Sequence, residues 1–230
     1  MGVQLPPRYQ RNYKALSVED QARLGEATVA VVGCGGLGGN VIEEFARLGV
    51  GRLVLIDGDR FDETNLNRQL LATEKNLGQS KVQAAKQRVE AVNSGVKLKI
   101  IGEWFDEDKG EEFFQGVNLV VDALDSISRR VSLERACHKL GLPLVFAGVA
   151  GWFGLLGVSF PGDNTVARLF RGGERGAEKV TGNPAFAPAI IASLAVVEAV
   201  KVLIGRTVPL RKAWLQVDLL EMEFETFSLE

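Results

Sequence analysis

Six polar residues define the chemistry open to this chain: Asp57, Asn65, Arg68, Gln69, Lys81 and Asp125. They follow a glycine turn, Gly33-Cys34-Gly35-Gly36-Leu37-Gly38, in which Gly33, Gly35 and Gly38 fit G-x-G-x-x-G between an apolar run and a helix-like segment. Glycine there lets the backbone turn tightly and approach a phosphate or sugar with no Cβ in the way. The helix behind it offers unpaired N–H groups and the positive end of its dipole. Asp57 closes the next apolar run, 24 residues after Gly33, near the spacing at which an acid meets ribose hydroxyls. The combination reads as a nucleotide site. Arg68 and Lys81 then discriminate between nucleotides, because an NAD site needs few cations here and a triphosphate site needs them. A carboxylate attacking ATP meets repulsion of about 4 kcal/mol per charge pair at a separation of about 4 Å and an effective dielectric of about 20. Cations and Mg²⁺ cancel that repulsion and hold the phosphates in line. Asp125, at a strand end, could hold the metal. Arg11 and Arg130 extend the set.

The elements that must position these groups alternate along the chain. A strand over Thr28–Val32 is followed by a helix over Val41–Leu48 and a strand over Leu53–Ile56. A polar crossover with a short helical turn occupies Asp59–Glu74, and Gly78–Val92 reads as an amphipathic helix with Val82, Ala85, Val89 and Val92 on one side. Then come a strand at Lys97–Ile101, a short acidic helix at Asp106–Phe114, a buried strand at Val117–Val121, a helix at Arg130–Leu140 and a strand at Pro143–Ala147. This alternation predicts a largely parallel sheet with helices on both faces, its ligand beyond the C-terminal strand ends. Gly33, Asp57 and Asp125 all fall there, from three different strands.

The back third breaks the pattern. A strand at Trp152–Phe160 precedes an irregular stretch, Asp163–Asn183, expected to be a mobile loop. A strongly apolar helix, Pro188–Ile204, ends at Gly205, and Ala213–Leu219 with Met222–Phe227 read as a terminal hairpin. The expected fold is α/β: a Rossmann-like, doubly wound, mainly parallel sheet extended by C-terminal antiparallel strands. Residues 1–27 form an arm and a helix, with Ser17 and Asp20 spaced as a capping box. Residues 28–230 form one domain, its nucleotide-binding half at about 28–147 and a second half at about 148–230 that could also form a dimer surface.

At 230 residues the chain can bury a sizeable core, and its formal charge of −2 gives no overall basic surface for nucleic acid. No uninterrupted run of 18 apolar residues signals a membrane span, and the polar, basic start lacks the apolar core of a secretory signal. Two cysteines are too few for a disulfide framework, so a reducing cytoplasm is expected. Cys34 and Cys137 read as small apolar packing residues. His138, the only histidine, has no second ligand at metal spacing.

These residues resemble a known family, the ubiquitin-activating-enzyme-like adenylyltransferases of the MoeB/ThiF/HesA group. The resemblance runs from about Arg8 to Leu219. It is carried by Arg-Tyr-Gln-Arg at 8–11, the glycine turn at 33–38, Asp57-Gly58-Asp59, Asn65-Leu66-Asn67-Arg68-Gln69, Gly-Gln-Ser-Lys at 78–81, and Asp125-Ser126 with Arg130. It implies an enzyme that binds Mg-ATP and the C-terminal Gly-Gly tail of a small ubiquitin-like sulfur-carrier protein, joins AMP to the tail carboxylate and releases pyrophosphate. By position, Gly36 and Asp57 would hold the adenosine, Asn65, Arg68 and Lys81 the phosphates, and Asp125 the Mg²⁺. Arg11 would match an arginine that reaches into the partner subunit's site, which implies a homodimer. Arg130 would match a basic residue near the metal-binding acid. The back half would bind the carrier.

The chain departs from the group in two respects. It has no Cys-x-x-Cys pair, so no zinc is expected. Glu178–Asn183 occupies the region where many members carry a reactive cysteine, so adenylation without a covalent cysteine intermediate is expected. Other readings remain open: activation of another carboxylate or carbamoyl substrate, as by the dehydratase that cyclises threonylcarbamoyladenosine in tRNA, peptide modification, or a non-catalytic nucleotide-binding Rossmann module.

Overall fold

The structure, a computed structural model, describes residues 6–171 and 181–229. Eight strands form one sheet: β1 (Thr28–Val32), β2 (Arg52–Ile56), β3 (Lys97–Ile101), β4 (Leu119–Asp122), β5 (Leu144–Ala150), β6 (Phe153–Ser159), β7 (Ala213–Asp218) and β8 (Glu223–Ser228). Their order is β3-β2-β1-β4-β5-β6-β7-β8. The first five in that order pair in parallel, and β5 through β8 pair antiparallel. The expected doubly wound sheet with an antiparallel extension is therefore what the chain builds.

Seven α-helices are described: α1 (Val18–Glu26), α2 (Gly36–Leu48), α3 (Lys81–Val92), α4 (Gly110–Phe113), α5 (Ile127–Lys139), α6 (Thr165–Leu169) and α7 (Phe186–Ile204). The central strand β1 is buried along its whole length, as a continuous Val/Ala run in a parallel sheet covered on both faces requires. One core layer joins Phe45 of α2, Val89 of α3 and Ile191 of α7 to Val29, Leu53 and Val145 of the sheet. The layer on the other face joins Phe113 and Leu133 to Val54, Val120 and Phe146.

α7 is long and apolar enough to cross a membrane by length and composition alone. It lies instead against the sheet as the core helix of the second half. Gly154 makes the close approach possible, since a Cβ there would fall 2.2 Å from Ile191 Cδ1. Gly205, at φ +76°, ends the helix in the left-handed conformation that suits glycine.

Several elements differ from the sequence expectation; α5, for one, begins at Ile127 and not Arg130, which places Arg130 in its first turn. α2 begins at Gly36, not Val41, because the later glycines form its first turn as well as the loop. The acidic segment after β3 splits into a 3₁₀ turn at Glu107–Lys109 and the short α4. The stretch expected to be irregular contains α6, whose first turn donates Val166 and Ala167 N–H groups to the buried Glu134 carboxylate at 2.8 and 2.9 Å. Residues 172–180 of that stretch lie outside the described residues.

The N-terminal arm is tied down far from the strand C-termini. Tyr9 packs where a Cβ on Gly49, the residue ending α2, would come within 2.4 Å of its hydroxyl oxygen. That hydroxyl accepts a hydrogen bond from Asn93 Nδ2, at the end of α3, at 2.8 Å. In a βαβ unit the helices run back against the strands, so helix C-termini lie beside strand N-termini. The Ser17–Asp20 capping box forms in both directions, at 3.1 and 3.0 Å.

Candidate functional site

A cleft of about 150 Å³ opens at the C-terminal ends of β1, β2, β3 and β4. Its floor is the glycine turn. Gly33 sits at φ +101°, and a Cβ there would lie 2.6 Å from the Ala123 carbonyl oxygen, so the loops after β1 and β4 touch. At Gly38 a Cβ would lie 1.8 Å from the Gly33 oxygen, which brings the N-terminus of α2 directly against the turn.

Asp57 holds this floor in shape. One carboxylate oxygen accepts from Cys34 N–H at 2.7 Å, and the other accepts from Asp59 N–H at 2.8 Å. Each oxygen keeps acceptor capacity for a further donor. Asp59 in turn holds the nearly buried Lys81 ammonium at 2.6 Å, with the Phe61 ring 5.9 Å away. Arg68 also lines the cleft. Its Nη1 donates to Thr64 O at 3.0 Å and Asn67 Oδ1 at 2.9 Å, leaving Nε and Nη2 uncommitted among the described residues. Asp125 lines the facing wall, exposed and with no hydrogen bond or ion pair among the described residues.

Two buried side-chain acceptors in the cleft-lining set have no partner among the described residues: Gln69 Oε1 and Asn183 Oδ1. Buried polar atoms are rarely left unpaired. An orphaned pair in one cleft fits a ligand that brings N–H or O–H donors, as a nucleoside does.

Five sequence-derived candidates lie outside the lining. Gly38 packs beneath it. Asn65 is buried and turned back, donating from Nδ2 to Asp62 Oδ1 at 3.0 Å to hold a 3₁₀ turn. Ser126 precedes α5 and bonds Ser128 Oγ at 3.0 Å. Arg130 points below the floor, because the last residue of β4 is a buried acid. Its guanidinium pairs with Asp122 at 3.1 Å and donates to Ala147 O at 2.6 Å and to Leu124 O. Burial pushes the Asp122 carboxyl up, with Arg130 and the Leu124 N–H acting against it. Arg11 is exposed on the arm, near the opposite end of the sheet.

Conversely, Trp104, Phe105, Asn183 and Pro188 line the cleft without having stood out in the sequence. Trp104 and Phe105 follow β3 as Asp57 follows β2, so the strand-end rule that selected Asp57 extends to them. Both cysteines are buried, and burial pushes both thiols up, so neither presents a thiolate.

The glycine-floored cleft with its cations, on this sheet, has known counterparts. The chain matches the ThiF family over residues 9–230 and belongs to it. Several of its curated relatives are named as adenylyltransferases and activating enzymes, and the chain is an enzyme of that class. It is 32% identical to the sulfur carrier protein adenylyltransferase of Thermus thermophilus, over 92% of this chain and 82% of that protein. It is 31% identical to the heterocyst protein HesA of Trichormus variabilis, over 89% of this chain and 77% of that one. The tRNA threonylcarbamoyladenosine dehydratase of Bacillus subtilis is 38% identical over 60% of this chain, which spans 55% of its length. Among solved structures, Escherichia coli MccB with ATP superposes with a TM-score of 0.83 at 22% identity, covering 98% of this chain and 72% of that one, which establishes likeness of fold.

Proposed function

We propose that this protein adenylates the C-terminal glycine carboxylate of a small ubiquitin-like sulfur-carrier protein, consuming ATP and releasing pyrophosphate. The observation that carries the reading is the meeting, in one cleft, of a glycine floor, the Arg68 and Lys81 cations and the uncommitted Asp125 carboxylate. The Thermus relative, aligned over nearly the whole chain, supports this choice of substrate.

A carboxylate oxygen of the carrier bonds to the α-phosphorus. The bond from that phosphorus to the bridging oxygen breaks, and its electron pair leaves with pyrophosphate. No proton moves and no side chain becomes covalently attached, in keeping with the two buried, protonated thiols. The residues supply position and charge. Asp57, already organising the turn, accepts from the ribose. Gly35 and Gly36 admit the nucleotide where side chains would narrow the cleft: a Cβ on Gly36 would lie 3.4 Å from Pro188 Cβ. Arg68 and Lys81 hold the triphosphate. A carboxylate such as Asp125, together with phosphate oxygens, suits Mg²⁺, which when bound neutralises charge on the leaving pyrophosphate.

Arg11 has a role in this reading only across a subunit boundary. α2, with 13 residues and a length of about 20 Å, separates the arm's anchor at Gly49 from the cleft. Arg11 would therefore serve the cleft of a second copy, in a cytoplasmic homodimer whose back half receives the carrier.

The Bacillus dehydratase likeness favours a second reading, activation of a carboxylate on a tRNA nucleoside. ATP–pyrophosphate exchange separates the two. Carriers ending in Gly-Gly are compared with the same carriers lacking the last glycine, and with tRNA. Exchange that requires the intact tail supports the carrier reading. Exchange driven only by tRNA replaces it.

A further inference from the structure

We infer that Trp104, held in place by Arg129, is the base-stacking wall of the cleft and gives it a preference for purine nucleotides; this rests on the ATP reading above. Trp104 is 50% exposed, unusual for a large aromatic whose position is so constrained, and it lines the cleft. Three contacts hold it. The next residue, Phe105, is buried and stacks on Phe114 with ring centroids 5.8 Å apart and planes 16° apart, which anchors the loop after β3 in the core. Gly58 lies directly beneath, where a Cβ would fall 2.8 Å from Trp104 N and 3.0 Å from the indole Cδ1. Arg129, in the first turn of α5, places its guanidinium carbon 4.5 Å from the ring centroid.

Ligand geometry assigns the wall its role. Asp57 is the ribose acceptor in this reading, and the base is joined to the ribose by a single glycosidic bond. The indole packs on Gly58, the residue after Asp57, so it stands where a base attached to that ribose needs a flat apolar partner. A purine covers more of an indole than a pyrimidine does, and a guanidinium on the ring keeps the wall from turning away. Trp104 would touch the nucleotide, whereas Arg129 is a positioning residue that acts through it.

The test uses the intact protein with Mg-ATP, Mg-GTP and Mg-UTP and no carrier, read by calorimetry and by indole emission. Loss of one stacked aromatic corresponds to about 5- to 150-fold weaker binding. Trp104→Ala is expected to weaken ATP binding at least tenfold and to shrink the preference for ATP and GTP over UTP. Trp104→Phe should keep binding within about threefold while removing the nucleotide-dependent change in emission, although Trp152 and Trp214 remain. Arg129→Ala should raise the Kd for ATP about two- to fivefold, and Arg129→Lys should restore it. If Trp104→Ala binds ATP as tightly as the unaltered protein, or leaves the preference over UTP intact, the wall is elsewhere and the ATP reading stands. If the unaltered protein binds no nucleotide, both readings fall.

Discussion

Truncating Arg130 to alanine would remove the ion pair to Asp122 at 3.1 Å and the hydrogen bonds to the Ala147 and Leu124 carbonyls, all in the buried layer under the cleft. Asp122 would be left as an unpaired acid with no accessible surface. Removing one partner of a buried pair typically costs about 3–5 kcal/mol. Unfolding entropy for 230 residues is about 0.48 kcal/mol/K. The melting temperature should therefore fall by about 6–10 °C. The loss should also depend on pH. Burial already raises the Asp122 carboxyl above its ordinary 3.8, and without Arg130 that push is less opposed. A carboxyl raised in the fold favours the protonated native state. Its contribution is whole below the unfolded value and is lost as pH rises through the folded one. The deficit of Arg130→Ala should thus be smallest near pH 4 and grow toward neutrality. Adding Asp122→Asn should flatten that dependence and recover part of the melting temperature. The assay is thermal melting across pH, with ATP binding measured on the same samples. A variant that melts within about 2 °C of the unaltered protein at pH 7.5 yet loses ATP binding would refute the assignment of Arg130 to the fold.

Three further substitutions probe the site and its supports. Gly38→Ala puts a Cβ 1.8 Å from the Gly33 carbonyl oxygen. It should cost about 1–3 kcal/mol in chemical denaturation and weaken ATP binding at least about tenfold by calorimetry; unchanged affinity would detach the turn from the nucleotide. Asp125→Ala removes an exposed carboxylate with no partner among the described residues, so its melting temperature should hold while pyrophosphate exchange drops by at least about 100-fold. Full turnover would end the metal assignment. Burial alone would raise the Asp163 carboxyl, but the paired Arg211 guanidinium and the Phe160 N–H outweigh it and hold it below 3.8. Stability from a lowered carboxyl is present above 3.8 and lost as pH falls through the folded value. Asp163→Asn should cost about 1 kcal/mol at pH 7, discounted because Arg211 is half exposed, and the gap to the unaltered protein should close in acid.

The sheet was legible in the sequence where short apolar-rich runs alternated with helical ones. The fully buried central strand β1 and the half-exposed edge strand β3 occupy the residues their patterns indicated, Thr28–Val32 and Lys97–Ile101. The start of α2 was not legible, because Gly36, Gly38 and Gly39 read locally as a loop. Only their distance to Gly33 across the turn explains why a helix begins there. Within the cleft, Gly33, Asp57, Arg68, Lys81 and Asp125 could be found because each combines a telling residue type with a position after a strand or in a motif. The direction of a side chain could not. Arg130 and Asn65 have polar types that suit phosphate, but a buried acid eight residues earlier claims one, and a turn three residues long claims the other. Trp104 lacked a motif, and its meaning comes from Gly58 and Arg129, distant in sequence and adjacent in space.

Strand β5 belongs to both halves of the sheet, parallel to β4 on one side and antiparallel to β6 on the other. The boundary near residue 147 that separates the halves by sequence pattern falls inside it. A chimera joined there would splice two strangers within a single strand, and fragments divided there would each carry an incomplete edge. Anyone recombining the back half of this chain with that of a relative should move the junction beyond Ala150, or ahead of Leu144, so that β5 travels whole.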